Sequence, residues 1–170
     1  MKNNHIHEEC GVFGIYSPFG KIISYDIYNG LIALQHRGQE SAGISVSNTL
    51  NIQSHFITKK GMGLVNEVFN SEEIKQMQGN IGIGHVRYST TGDSILENAQ
   101  PITMNYIKGS LAIVHNGNIM NAYEIKETQM LHGQAHYTTS DTEILIYEII
   151  NERINTSSIE TNKCSYCNKC

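Results

Sequence analysis

The sequence predicts an α+β fold. Strand-like segments come in pairs around turns, amphipathic helical segments fall between them at irregular spacing, and no regular βαβ unit recurs. The 170 residues suffice for one domain with a sizeable core, and 39% apolar with 16% charged residues is a globular composition. No internal repeat is present.

Residues 11–16, Gly-Val-Phe-Gly-Ile-Tyr, read as a buried strand. The turn Ser17-Pro18-Phe19-Gly20 follows. Ser24 is placed to cap a helix whose apolar face carries Ile27, Leu31 and Leu34, ending near Gly38. Residues 44–47 alternate as a strand, 48–51 form a turn, and 52–58 are expected to return as a second strand. Ser71-Glu72-Glu73-Ile74 opens a helix. Residues 82–88 and 110–115 read as strands, the second largely buried. Asn121 followed by Glu124 fits a helix cap, with Gly133 as the stop. Ser140-Asp141-Thr142-Glu143 has the spacing of a capping box before an apolar helix through Ile146, Ile149 and Ile150.

The charge balance of 12 basic against 16 acidic residues, net −4, argues against a nucleic-acid partner. The nearest thing to a basic cluster, Lys59-Lys60, is expected to be a solvated strand end. No apolar run approaches the ~18–20 residues of a membrane helix. The polar leader MKNNHIHEE has no apolar stretch of a secretory signal, so a cytoplasmic protein without a membrane partner is expected. Of four cysteines, three crowd the last seven residues, so the body is no disulfide scaffold.

The remaining thiol, Cys10, opens Cys10-Gly11-Val12-Phe13-Gly14 directly after the leader. If residues 1–9 were removed, Cys10 would carry a free α-amine, whose reference pKa of about 7.7–8.0 suits a base near neutral pH. One residue would then supply nucleophile and base together, as N-terminal threonines do. The alternative is an inert core cysteine.

Five blocks bear on that choice: Glu9-Cys10-Gly11-Val12-Phe13-Gly14, the run from Leu34 to Gly43 (LQHRGQESAG), Gly84-His85-Val86-Arg87-Tyr88-Ser89-Thr90, His115-Asn116-Gly117-Asn118, and Ser140-Asp141-Thr142-Glu143. Together and in this order they resemble the class II, N-terminal-nucleophile glutamine amidotransferases, and within them the branch whose synthase domain uses 5-phosphoribosyl diphosphate in purine synthesis. The resemblance covers roughly residues 8–155. It implies an αββα four-layer sandwich of the N-terminal-nucleophile hydrolases, incomplete here at its C-terminus. It divides the chain into a removed leader (1–9), a glutaminase domain (10–160) and a Cys-rich tail (161–170).

The resemblance also assigns roles. Cys10 is the nucleophile and its freed α-amine the base. Asn116 and Gly117 form the oxyanion hole, a pairing that chemistry supports because an Asn NH2 and a Gly N–H can aim two donors at one oxygen. The alternative for that pair is an ordinary Asn-Gly turn. Arg87 clamps the substrate α-carboxylate through two parallel hydrogen bonds, Thr90 adds a contact, and Asp141 accepts from the α-ammonium. Arg37 lies near the nucleophile, where a cation favours thiolate; otherwise it is a charge at a helix C-terminus. His85 raises the separate possibility of a Cys–His dyad.

The implied substrate is glutamine. The family's phosphoribosyltransferase domain, with its Mg²⁺ and a homo-oligomeric full-length form, would have to come from further chain or another polypeptide. This chain by itself is expected to perform no phosphoribosyl transfer and to hold no cofactor. Cys164-x2-Cys167-x2-Cys170 has three ligands where a structural metal site needs four, so no metal site is expected and the tail is expected to be disordered. Two other readings are glutaminase domains of the glucosamine-6-phosphate synthase or asparagine synthetase type, and an inactive interaction module.

Overall fold

A computed structural model describes residues 9–51, 55–88 and 93–167, with side chains through residue 156. The first sheet is antiparallel and four-stranded, in the order β1-β4-β2-β3, built from β1 (Gly11–Tyr16), β2 (Ser41–Ser47), β3 (Ile57–Met62) and β4 (Ile81–Arg87). A second, two-stranded antiparallel sheet joins β5 (Ile102–Tyr106) to β6 (Gly109–Ile113). Helices α1 (Ser24–Leu34), α2 (Val65–Val68) and α3 (Ser71–Gln76) accompany the first sheet. Helices α4 (Ala122–Leu131) and α5 (Asp141–Cys167) pack together, and α5 covers the second sheet. The α+β class expected from the sequence and the helix–sheet–sheet–helix layering implied by the resemblance are both present.

Side chains alternate across a strand, so each strand of the first sheet serves two layers. On one face Ala42, Ile44, Val46 and Val86 join Ile27 and Leu31 of α1 in a buried core. Each such aliphatic side chain contributes roughly 1.5–3 kcal/mol on burial. Gly82 and Gly84 let α1 come close: an added Cβ at either would lie 2.7 Å from a side-chain carbon of Ile27. The opposite face carries Gly43, His85 and Arg87 toward the second sheet and the loops around it. There Gly43 sits under the start of β5, where a Cβ would lie 2.0 Å from the Gln100 carbonyl oxygen and 2.8 Å from Pro101 Cδ. Backbone cannot yield as a flexible side chain can. Gly43→Ala is therefore expected to cost about 1–3 kcal/mol or more, lowering the thermal midpoint by several degrees in a melting experiment.

Several elements depart from the sequence expectations. β1 is an edge strand rather than a buried one, with Val12 and Tyr16 exposed, because among the described residues only β4 pairs with it. The fully buried strand is β2, flanked on both sides. Ser24 is the first helical residue and not the cap: Ile23 holds the cap position, and the Ser24 hydroxyl donates to the Met77 carbonyl. The chain leaves α1 through a 3-10 turn, Gln35–Arg37, and Gly38 is extended.

The return strand of the first hairpin is β3, later than the expected 52–58, of which 52–54 lie outside the described residues. Lys59 and Lys60 therefore fall inside a strand, Lys59 paired with Glu73 and Lys60 donating to the Ala99 carbonyl. Strand β6 is half-buried because only one of its faces meets α5. β5 carried no strong pattern of its own. Asn70 caps α3 reciprocally with Glu73, whereas Asn121 makes no side-chain cap bond.

Before α5 the capping box is not reciprocal. Ser140 Oγ accepts from Thr142 N, but the Glu143 carboxylate reaches farther back, to the amides of Tyr137 and Thr138. Helix α5 then runs to Cys167, where the sequence suggested a disordered tail from 161. The side chains of Cys164 and Cys167, and all of Cys170, fall outside the described residues.

Candidate active site

Cys10 stands at the threshold of β1 with φ at +58°, the left-handed region that costs a non-Gly residue of order 1–3 kcal/mol. Two bonds hold it there. Its amide donates to the Arg37 carbonyl at 2.9 Å, and Arg37 Nε donates to the Cys10 carbonyl at 2.8 Å. The turn after α1 thus clamps the backbone on both sides of the thiol-bearing carbon. The kink tucks Sγ against Tyr88, just past the end of β4, 3.3 Å from its carbonyl oxygen and 3.4 Å from its amide nitrogen.

Burial pushes the Cys10 thiol pKa above its ordinary value. The Tyr88 backbone contact and the positive charge of Arg87 oppose this, and Glu9 and Glu40 add to it. The thiol is protonated at neutral pH and needs a base. Arg37 lies beside Cys10 as expected, with its Nε bonded to the Cys10 carbonyl, while the cation that opposes the rise of the thiol pKa is Arg87.

Arg87 ends β4 almost wholly buried and is ion-paired with Glu40, while its Nη1 also reaches the Asp93 carbonyl at 3.4 Å. Asp141, the first residue of α5, accepts from the Ile119 amide at 2.9 Å and lies 3.6 Å from His115 Nδ1. It is both a helix-start residue and a carboxylate facing the site. Asn116 and Gly117 follow β6 in a loop. Gly117 has φ at +153°, and a Cβ there would lie 2.8 Å from His115 Nε2, so the loop shape needs glycine.

His85 overturns the dyad reading. Its Nε2 lies 3.0 Å from Asn116 Oδ1 and is not bonded to Cys10. Burial pushes its pKa down to about 4, so the ring is neutral at physiological pH.

These groups line one cavity of about 450 Å³: Cys10, Arg37, Arg87, Asn116, Gly117 and Asp141 all contribute. Thr90 lies outside the described residues. The cavity sets a thiol, a buried cation, a carboxylate and an amide around a volume ample for an amino acid. That combination suits a zwitterion, its carboxylate at Arg87 and its ammonium at Asp141, with an acyl group reaching Sγ.

Sequence reasoning missed two supports. Gln100 fastens the His115–Gly117 loop to α5: its Oε1 accepts from His115 N at 2.6 Å, and its Nε2 donates to Thr142 Oγ1 at 2.9 Å. No motif surrounds it. Glu40 lay within the block from Leu34 to Gly43 without a role, although an acid there could have been matched to Arg87. Among the described residues, no group of three or more His, Cys, Asp or Glu is placed to hold a metal ion, and no helix is long and apolar enough to cross a membrane.

The family model of the glutamine amidotransferase domain matches residues 70–155. The amidophosphoribosyltransferase of Methanothermobacter thermautotrophicus is 45% identical over 153 residues, an alignment covering 89% of this chain and 31% of that protein. The human amidophosphoribosyltransferase is 43% identical over 145 residues, covering 82% and 28%. Among solved structures, the glutamine phosphoribosylpyrophosphate amidotransferase of B. subtilis, complexed with ADP and GMP, superposes with a TM-score of 0.69 at 40% identity, covering 79% of this chain and 28% of that one. A structure described as the allosteric regulatory enzyme of purine biosynthesis gives 0.70 at 41%, covering 80% and 28%. The chain spans less than a third of the length of these relatives.

Proposed function

The chain belongs to the glutamine amidotransferase domain family, and we propose that it hydrolyses the side-chain amide of glutamine to ammonia and glutamate, as the glutaminase part of an amidophosphoribosyltransferase. The observation that carries the reading is the convergence of Cys10, Arg87, Asp141 and the Asn116-Gly117 loop on one cavity. Arg87 and Asp141 take the two charges of the amino-acid head and leave the amide end directed at Sγ. The thiol adds to the amide carbon, and its proton passes to a base. The carbonyl oxygen becomes an oxyanion that Asn116 Nδ2 and the Gly117 amide receive. Collapse breaks the C–N bond, ammonia leaves with a proton returned by the base, and a γ-glutamyl thioester remains on Cys10. Water then adds to the thioester and releases glutamate and the free thiol.

The base is the Cys10 α-amine, freed by removal of residues 1–9. In the unprocessed chain that nitrogen is a peptide amide, its lone pair delocalised into the Glu9 carbonyl, so it cannot take a proton; its N–H donates to the Arg37 carbonyl. Glu9 itself lines the cavity. The ammonia is meant for a phosphoribosyltransferase domain that accepts it onto 5-phosphoribosyl diphosphate in purine synthesis, in a cytoplasmic enzyme whose full-length form self-associates. The Mg²⁺ of that chemistry finds no matching donor cluster among the described residues, and no step here runs through it. The relatives named above are amidophosphoribosyltransferases, which favours this reading over the glucosamine-6-phosphate synthase or asparagine synthetase type.

The test is ammonia release from glutamine by the purified chain, with intact mass reporting loss of residues 1–9. Arg87→Lys keeps the charge but loses the planar fork. It is expected to raise KM for glutamine about tenfold or more, with a smaller change in kcat. An unchanged KM would remove Arg87 from substrate binding.

A further inference from the structure

We propose that His85 is a positioning residue for this hydrolysis: its Nε2–H, donated to Asn116 Oδ1, holds the Asn116 carboxamide with its NH2 turned into the cavity where the oxyanion forms. The proposal rests on the reading of Asn116 as an oxyanion donor and names what makes it one.

An Asn side chain has a broad, nearly two-fold torsion at its amide. Facing an oxyanion, one orientation donates and the flipped one presents a repelling oxygen. Something must choose between them. Asn116 is in an exposed loop, whereas His85 is held rigidly in the middle of β4, paired across to Val12 on β1 and Gly43 on β2, and only 1% exposed. Its backbone neighbours Gly84 and Val86 face α1, so the ring faces the other layer. Nε2 lies 3.0 Å from Asn116 Oδ1.

An amide oxygen only accepts, so Nε2 must carry the hydrogen. A neutral ring does this with one defined tautomer. Neutrality is favoured by burial and by the positive charge of Arg87 nearby. With the oxygen tied to His85, the NH2 points away from it. The sheet thereby lends its rigidity to a loop that has little of its own.

The experiment measures glutamine hydrolysis by the chain beginning at Cys10 and carrying His85→Phe, His85→Gln, Asn116→Ala, and the His85→Phe/Asn116→Ala pair. His85→Phe is expected to lower kcat about tenfold or more, below the 10²–10³ range of a lost oxyanion donor, with KM within twofold. His85→Gln, which can still donate, is expected to recover most of the rate. Once Asn116 is alanine, adding His85→Phe is expected to cost nothing more, because the two act as one unit. A further loss in the double variant equal to that in the single one would overturn the proposal, as would a rise in KM in step with the fall in kcat.

A readout on the unsubstituted protein covers the case in which His85→Phe fails to fold. The ¹⁵N shifts of His85 are expected to report an Nε2-protonated neutral ring from about pH 5.5 to 8.5, consistent with its depressed pKa. An Nδ1-protonated ring overturns the proposal. A chain that releases no ammonia defeats the parent reading as well, whereas normal turnover in His85→Phe defeats this inference alone.

Discussion

Cys10→Ala is expected to abolish ammonia release from glutamine, by about 10⁴-fold or more as for other lost nucleophiles, while leaving the fold intact. The fold survives because, among the described residues, the thiol contributes two long contacts to the Tyr88 backbone. Alanine meets the same strain at φ +58° as cysteine does. A change in stability of at most about 1 kcal/mol follows. The pH profile carries the mechanism. Because the thiol pKa is raised, thiolate is scarce below the ordinary thiol range and grows as pH rises through the shifted value. Carboxymethylation of Cys10, read by peptide mass to separate it from the three tail cysteines, is expected to climb with pH past the point where a free cysteine has levelled off. In a chain retaining residues 1–9, hydrolysis at neutral pH is expected to be negligible. In a chain beginning at Cys10, the α-amine of pKa about 7.7–8.0 supplies the missing base and brings activity toward neutrality. Full activity in Cys10→Ala, or in protein still carrying Met1, would defeat the mechanism.

Elements with strong local periodicity were legible. Helix α1 announced itself through Ile27 and Leu31, whose spacing survives as a buried stripe on the first sheet. What a strand's own residues cannot state is who its neighbours are. Val12, Phe13 and Ile15 are apolar enough for a central strand, yet β1 has β4 on one side and, among the described residues, no strand on the other. Ser41, Ser45 and Ser47 are polar, yet β2 is buried throughout, because it is flanked by strands on both sides, and at Ser45 a hydrogen bond with Thr58 satisfies what burial would otherwise penalise. Strand β5 escaped for the same reason: its apolar residues mean little until α5 arrives, and α5 is 35 or more residues away.

The site was legible as a set of residue types and illegible as a set of contacts. Cys10, Arg87, Asn116, Gly117 and Asp141 stood in recognisable blocks, and they do share a cavity. Arg37 stood in one too, but proximity along a motif does not say whether a guanidinium faces a thiol or a carbonyl, and it chose the carbonyl. For His85 the residue type suggested a base. Only the register of β4, which buries the ring against the Asn116 loop, makes it a donor instead. Gln100 had no block at all. Its importance comes from where Gly43 lets it lie, since any larger residue at 43 would meet the Gln100 carbonyl.

Asn116→Ala is expected to lower kcat by roughly 10²–10³, or about 2.7–4 kcal/mol of transition-state stabilisation, with KM for glutamine almost unchanged. The split follows from when the interaction exists. The bound amide carries little charge on its oxygen, and the charge that Asn116 would receive develops only after Sγ has attacked, so its loss touches the transition state and spares the ground state. The Gly117 amide remains, in a loop conformation that the Gln100 bond to His115 preserves, and it keeps the residual rate above background. The same substitution carries a stability cost of about 1–3 kcal/mol, because it strips the buried His85 Nε2–H of its acceptor. Asn116→Asp separates the two effects. The carboxylate restores an acceptor for His85 and recovers the thermal midpoint, but it offers the oxyanion no donor and adds a like charge beside it. Its kcat is therefore expected to fall below that of Asn116→Ala even as its stability rises. If Asn116→Asp recovered both together, or if Asn116→Ala raised KM with kcat intact, Asn116 would be a substrate-gripping or structural residue, and the oxyanion would have to be received elsewhere.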